Sequence, residues 1–112
     1  MLIAYLVEGD QHHDRAVRDL EGVDLLLVPA GAVVEAALYL RRYSISFRVL
    51  LDFLESDDVL VIDTDSDTLL EALEETEEDP RHFVDYLIYR TAAKYGVEFL
   101  TYDDKFARKY LK

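Results

Sequence analysis

Cysteine is absent from this chain of 112 residues. That removes disulfide scaffolds, zinc–thiolate and iron–sulfur sites, and a cysteine nucleophile from its chemistry. Asparagine is absent as well, and Gln11 and Met1 are the single glutamine and methionine. Scarce thermolabile residues beside abundant charge resemble a thermophile's composition. The glycines Gly9, Gly22, Gly31 and Gly96 are scattered, so they form neither a phosphate-cradling loop nor a dinucleotide fingerprint. No G-x-S-x-G nucleophile elbow occurs. Apolar runs fall well short of the roughly 18–20 residues of a membrane span. Nor does the N-terminus carry the charged segment and long apolar stretch of a secretory signal, so a cytoplasmic protein with no membrane partner is expected. Basic residues are also few. Twelve Lys and Arg against 24 Asp and Glu leave a formal charge of −12. A nucleic acid partner would therefore need a bridging cation or a local basic patch.

Hydrophobic residues make up 51% of the chain, enough for a core, and the length predicts one domain over residues 1–112. The pattern alternates helix and strand. Leu2 to Val7 is apolar and too short to classify by period. Asp10 to Leu20 reads as a helix capped by Asp10, with Ala16, Val17 and Leu20 on one face. Leu25–Val28 suits a strand buried on both faces. Pro29 then opens a helix over Ala30–Arg42, with Val33, Val34, Ala37 and Leu38 at helical spacing. A helix over Ser46–Leu54 leads into a strand, Val59–Ile62, and Thr64 and Asp65 can cap a helix over Ser66–Glu75. The acidic cluster Glu74 to Asp79, closed by Pro80, marks a turn. Beyond it Phe83, Val84, Leu87, Ile88, Ala92 and Tyr95 form one helical stripe ended by Gly96. Val97–Leu100 reads as a third strand, and Asp103 or Asp104 can cap a last helix to Leu111. Short apolar strands alternating with helices predict an α/β fold, a small three-layer sandwich with a short parallel sheet flanked by helices.

Ligands in such folds collect at the carboxyl ends of the strands. Glu35, Asp85 and Asp103 all map near that edge. Three carboxylates in one notch repel one another, and a hard divalent cation such as Mg²⁺ removes that cost while activating water. A blander reading stands beside it. Among 24 acids, three near one edge also arise by chance, and Asp103 can be a helix cap only.

Several blocks of sequence resemble the PIN-domain family, in particular its VapC toxin branch of small endoribonucleases. Leu2-Ile3-Ala4-Tyr5-Leu6 with His12-His13 and Ala16 resembles the opening helices. Leu26-Leu27-Val28-Pro29 followed by Val34-Glu35 resembles the second strand and second acid. Phe83-Val84-Asp85-Tyr86-Leu87-Ile88, with Ala92-Ala93 and Gly96, resembles the helix of the third acid, and Leu100-Thr101-Tyr102-Asp103-Asp104-Lys105-Phe106 the motif of the fourth. The last two blocks are the specific ones. The resemblance implies Mg²⁺- or Mn²⁺-dependent cleavage of RNA, with Glu35, Asp85 and Asp103 as catalytic and metal-binding residues. It also implies control by an antitoxin protein and a homodimer. One departure stands out: the family's central strand, ending in Asp-Thr-Asn, has no counterpart before Met1, so the first acid is missing. Such a strand contributes four or five side chains at about 1.5–3 kcal/mol each, comparable to a whole domain's roughly 5–15 kcal/mol. The expectation is that the natural chain starts upstream and that Met1 reflects a misassigned start codon, which intact mass of the native protein would check.

Other residues carry two readings each. Thr101 can support the metal ligands through its hydroxyl or bond the local backbone, and Asp104 is a spare ligand or a solvated helix-start residue. Lys105, Arg108, Lys109 and Lys112 share a helix face, as a phosphate-contacting stripe or as cations favoured at a helix C-terminus. Arg41, Arg42 and Arg48 flank Tyr43-Ser44 and can form a second RNA-contact patch, while Tyr39 and Tyr43 suit a dimer or antitoxin contact. Adjacent His12 and His13 diverge by about 100° on a helix and read as surface residues. His82, three residues before Asp85, can reach the same notch, but a lone histidine reads first as structural or solvated. Two further functions compete with the ribonuclease. One is a degenerate PIN-like protein acting by protein binding, which cleavage would distinguish. The other is a receiver-like signalling domain, which would need paired acids after its first strand and a strand-end lysine that are not in place.

Overall fold

The structure, a computed structural model, describes residues 2–99, 101 and 103–111. They form an α/β fold in two compact units, Met1–Ile62 and Asp63–Lys112. The first unit runs α1 (Leu2–Leu6), α2 (His13–Leu20), β1 (Leu26–Pro29), α3 (Ala30–Arg42), α4 (Arg48–Leu54) and β2 (Val59–Ile62). β1 and β2 are parallel, with Leu26 opposite Val59, Leu27 opposite Leu60, Val28 opposite Val61 and Pro29 opposite Ile62. Parallel neighbours need a long crossover, and α3 and α4 supply it. Pro29 ends β1 and opens α3, because a residue without an N–H costs nothing where a helix begins. The core of this unit is Ala36, Leu40 and Leu50, with Leu2, Leu6, Val33 and Leu54 packed around it.

The short parallel sheet flanked by helices is as expected, and among the described residues no strand precedes β1. The environment of the two strands differs from the expectation of full burial. Leu25 lies outside β1 and is exposed, and Leu60 and Val61 on β2 are 52% and 43% exposed. Parallel strands are buried on both faces only where helices cover both, and here Leu60 and Val61 on β2 are left open. In α2, Asp10 does not cap the helix. Its Oδ1 accepts from the His12 N–H at 2.9 Å, so the carboxylate is used one turn early and the helix starts at His13. On α3 the buried face is Ala32, Ala36 and Leu40, while Val34 and Leu38 are exposed. Small side chains there permit close approach to the core, which bulk-based patterning overlooks. α4 begins at Arg48, after Ser46 Oγ accepts from the Arg48 N–H.

The second unit holds α5 (Ser66–Glu75), a 3₁₀ turn (Pro80–His82), α6 (Phe83–Tyr95) and α7 (Asp104–Tyr110). Asp65 caps α5 through Oδ1, which accepts from the Thr68 N–H at 2.7 Å. Arg90 to Glu71 at 2.9 Å and Lys94 to Asp65 tie α6 to α5. Ala72, Tyr86, Leu87 and Phe106 make the core, edged by Phe83, Tyr89, Phe99 and Tyr110.

The expected third strand does not form over Val97–Phe99; Leu100 lies outside the described residues. Gly96 closes α6 in the left-handed region, φ 67°. Its N–H donates to Ala93 C=O at 3.2 Å, and the Val97 N–H to Ala92 C=O at 3.0 Å. This helix-closing motif takes the first donor a strand would need. Among the described residues the second unit also offers no strand to pair with.

Candidate metal centre

A turn and two helix starts build the site. Asp79 precedes Pro80, which cannot donate and so begins the 3₁₀ turn without loss. The His82 N–H donates to Asp79 C=O at 3.1 Å, closing that turn. α6 follows at once, so His82 and Asp85 are three residues apart and share a face. Asp103 arrives from the other side as the residue capping α7. Its Oδ1 accepts from the Phe106 N–H at 3.0 Å, and its own N–H donates to Thr101 Oγ1 at 3.1 Å. With Oδ1 engaged, Oδ2 is the oxygen available to the site.

His82 is 4% exposed, its ring edge-on to Phe106 and Tyr110 at 5.7 and 6.0 Å between centroids. Nε2 lies 3.3 Å from Asp79 Oδ2. Nδ1 lies 3.6 Å from Asp103 Oδ2 and has no hydrogen-bond partner. Asp79 is itself clamped by Arg81, which donates from Nε at 2.9 Å and a terminal nitrogen at 3.2 Å and holds that carboxyl below its ordinary range. Asp85 is partly buried. Burial, and then the Asp103 carboxylate beside it, push its pKa up. Ligand atoms of His82, Asp85 and Asp103 all lie within 4.8 Å of one another.

This donor set fits a divalent cation. A buried ring nitrogen without a partner is costly, and two neighbouring carboxylates raise each other's energy. One cation offsets both. Ligands about 2.1 Å from one ion stand roughly 3–4.2 Å apart, and the 3.6 Å between Nδ1 and Oδ2 falls inside that span. A carboxylate on Nε2 is the usual partner of a histidine that ligates through its other nitrogen.

Two of the three expected acids, Asp85 and Asp103, thus come together, with His82 as the third member. Glu35 is exposed on α3, in the first unit. Thr101 bonds backbone, steadying Asp103, and Asp104 is the exposed first residue of α7. Arg41 and Arg42 are exposed in the last turn of α3, Arg42 lying 5.6 Å above the Tyr43 ring. Lys105, Arg108 and Lys109 are exposed on α7, with Lys109 5.3 Å above Tyr110; Lys112 lies outside the described residues. The sequence places His82 within reach of the same notch but, with no second His or Cys at zinc spacing, favours a structural or solvated role over a ligand. The signal was the run Asp79-Pro80-Arg81-His82 ahead of Asp85, a turn that presents both residues on one face.

The model of the PIN domain family matches residues 1–112, and the chain belongs to that family. Among solved structures it is similar to the crystal structure of Mycobacterium tuberculosis VapC20, described as a sarcin–ricin loop cleaving toxin. The two are 19% identical with a TM-score of 0.76, over 97% of this chain and 89% of the other. At that identity the likeness shows the fold. No curated protein matches the sequence.

Proposed function

We propose that this protein is a metal-dependent endoribonuclease of the toxin–antitoxin kind, cleaving RNA phosphodiesters with Mg²⁺ or Mn²⁺. The observation that carries the reading is the buried, partnerless His82 Nδ1 beside the Asp85 and Asp103 carboxylates, on a PIN fold. A divalent ion held there supplies Lewis acidity toward phosphate and eases ionisation of water. Asp103 contributes the oxygen its helix cap leaves available, and Asp85 the second carboxylate. Glu35 enters through the family motif alone, as a further acid of the reaction. Arg41, Arg42, Lys105, Arg108 and Lys109 supply cationic contacts to RNA on a chain of net charge −12. By the same resemblance the partners are an antitoxin and a second copy of the chain, in the cytoplasm.

The test is cleavage of a mixed RNA pool with Mg²⁺ or Mn²⁺, against EDTA and against Asp85→Asn. Cleavage lost in both controls supports the reading; cleavage that survives EDTA refutes it. A second reading, a PIN-like protein acting by protein binding, is favoured by Val34 and Leu38, 59% and 55% exposed one turn apart on α3. It predicts no cleavage under any metal.

A further inference from the structure

An all-carboxylate site and one that includes an imidazole choose their ions differently. Mg²⁺ takes oxygen ligands and dehydrates reluctantly, whereas first-row transition ions accept ring nitrogen readily. We infer that His82, oriented by Asp79, ligates the ion through Nδ1 and makes this centre selective for Mn²⁺ and Co²⁺ over Mg²⁺. The inference deepens the proposed function, since it concerns which ion serves the same centre.

Three observations converge on it. Nδ1 is buried, has no hydrogen-bond partner and faces Asp103 Oδ2 at 3.6 Å. Asp79 Oδ2 stands 3.3 Å from Nε2, the arrangement of a histidine that ligates through its other nitrogen, and that nitrogen, Nδ1, lies on the side of Asp103. Finally, the ring has little freedom to turn away. Phe106 and Tyr110 flank it, the His82 backbone N–H closes the turn on the Asp79 C=O, and Arg81 fixes the Asp79 carboxylate with two hydrogen bonds. An imidazole held this firmly, with a carboxylate 3.3 Å from one nitrogen and no hydrogen bond on the other, is arranged as a ligand. A merely structural histidine would have both nitrogens satisfied.

Asp79 is the positioning residue here, acting through His82. His82→Asn puts an amide oxygen near the place of Nδ1 and so turns the site toward an all-oxygen donor set. Asp79→Asn keeps the imidazole but removes the carboxylate behind it.

The experiment is calorimetric titration of the purified full chain with MnCl₂, CoCl₂ and MgCl₂ separately, with pulsed EPR of bound Mn²⁺ for coupling to ring nitrogen. Expected are tighter binding of Mn²⁺ and Co²⁺ than of Mg²⁺, and a nitrogen signal that disappears in His82→Asn together with the preference. Asp79→Asn loses about 10–100-fold in Mn²⁺ affinity while keeping the nitrogen signal. Melting in EDTA checks that each variant is folded, and Asp79→Asn decides the matter if His82→Asn is not. Mg²⁺ binding as tightly as Mn²⁺, or an unchanged preference and nitrogen signal in His82→Asn, overturns the inference and leaves the ribonuclease reading standing on its carboxylates. Binding of no ion at all overturns both. Selective binding without RNA cleavage upholds the inference and removes the ribonuclease reading.

Discussion

Asp103 serves two structures with its two oxygens, and substitutions can separate them. Oδ1 caps α7 by accepting from the Phe106 N–H, while Oδ2 faces His82 Nδ1 at 3.6 Å. Asn keeps a capping oxygen and caps as well as Asp; Ala removes it at a cost of about 0.5–2 kcal/mol. Asn also removes a negative charge from beside Asp85, whose pKa is raised first by burial and second by Asp103. Its amide nitrogen can donate to Nδ1, which otherwise has no partner. In EDTA, Asp103→Asn therefore melts at or above the parent and Asp103→Ala below it. Addition of Mn²⁺ puts the parent above Asp103→Asn and leaves Asp103→Ala lowest. At 100 times its dissociation constant the ion stabilises the parent by about 2.7 kcal/mol and stabilises a variant without the ligand far less. Urea midpoints of the three proteins with and without Mn²⁺ give all six numbers. The reasoning is refuted if Asp103→Asn is as unstable as Asp103→Ala in EDTA, or gains as much from Mn²⁺ as the parent.

The remaining predictions use the same logic. Phe106 is fully buried and packs edge-on to His82, Tyr89 and Phe99. Phe106→Ala should cost about 3–5 kcal/mol in chemical denaturation, and a loss below 1 kcal/mol would mean the second unit does not depend on that ring. Asp65, beside Lys94 and the Thr68 N–H, has its pKa lowered from 3.8 to about 2. Because the folded value is the lower one, its contribution is present above the unfolded pKa and is lost as pH falls from about 4 to about 2. Asp65→Ser, which retains a cap, should flatten the fall of the urea midpoint over that window; an unchanged profile contradicts the assignment. If Lys105, Arg108 and Lys109 contact RNA, each Ala replacement reduces the dependence of binding on salt by about 0.7 in log–log slope for a single strand. An unchanged slope would assign them to the helix C-terminus instead.

How much of this was legible in the sequence varied with how local the cause is. Pro29, Asp65 and Gly96 act on their own neighbours, so the start of α3, the cap of α5 and the end of α6 stand where the sequence put them. A strand depends on a partner elsewhere. Val97–Phe99 has a strand's composition, yet Val97 spends its N–H closing α6 and its unit offers no described strand to join. Side-chain faces were misjudged where small residues do the packing, as with Ala32 and Ala36 against the bulkier Val34 and Leu38. Of the centre, Asp85 and Asp103 were visible as acids at the ends of elements. His82 was visible as a residue within reach of Asp85 but read first as structural or solvated, because its role comes from burial and from Asp79 and Asp103 on either side, which spacing alone does not reveal.

The most direct test of the central claim is to measure Mn²⁺ binding and Mn²⁺-dependent RNA cleavage on one preparation of the chain, in parallel with Asp85→Asn. The account predicts that cleavage rises with Mn²⁺ over the concentrations at which the centre fills, and that Asp85→Asn weakens binding and abolishes cleavage. A filled centre with no cleavage, or cleavage undiminished in Asp85→Asn, would contradict it.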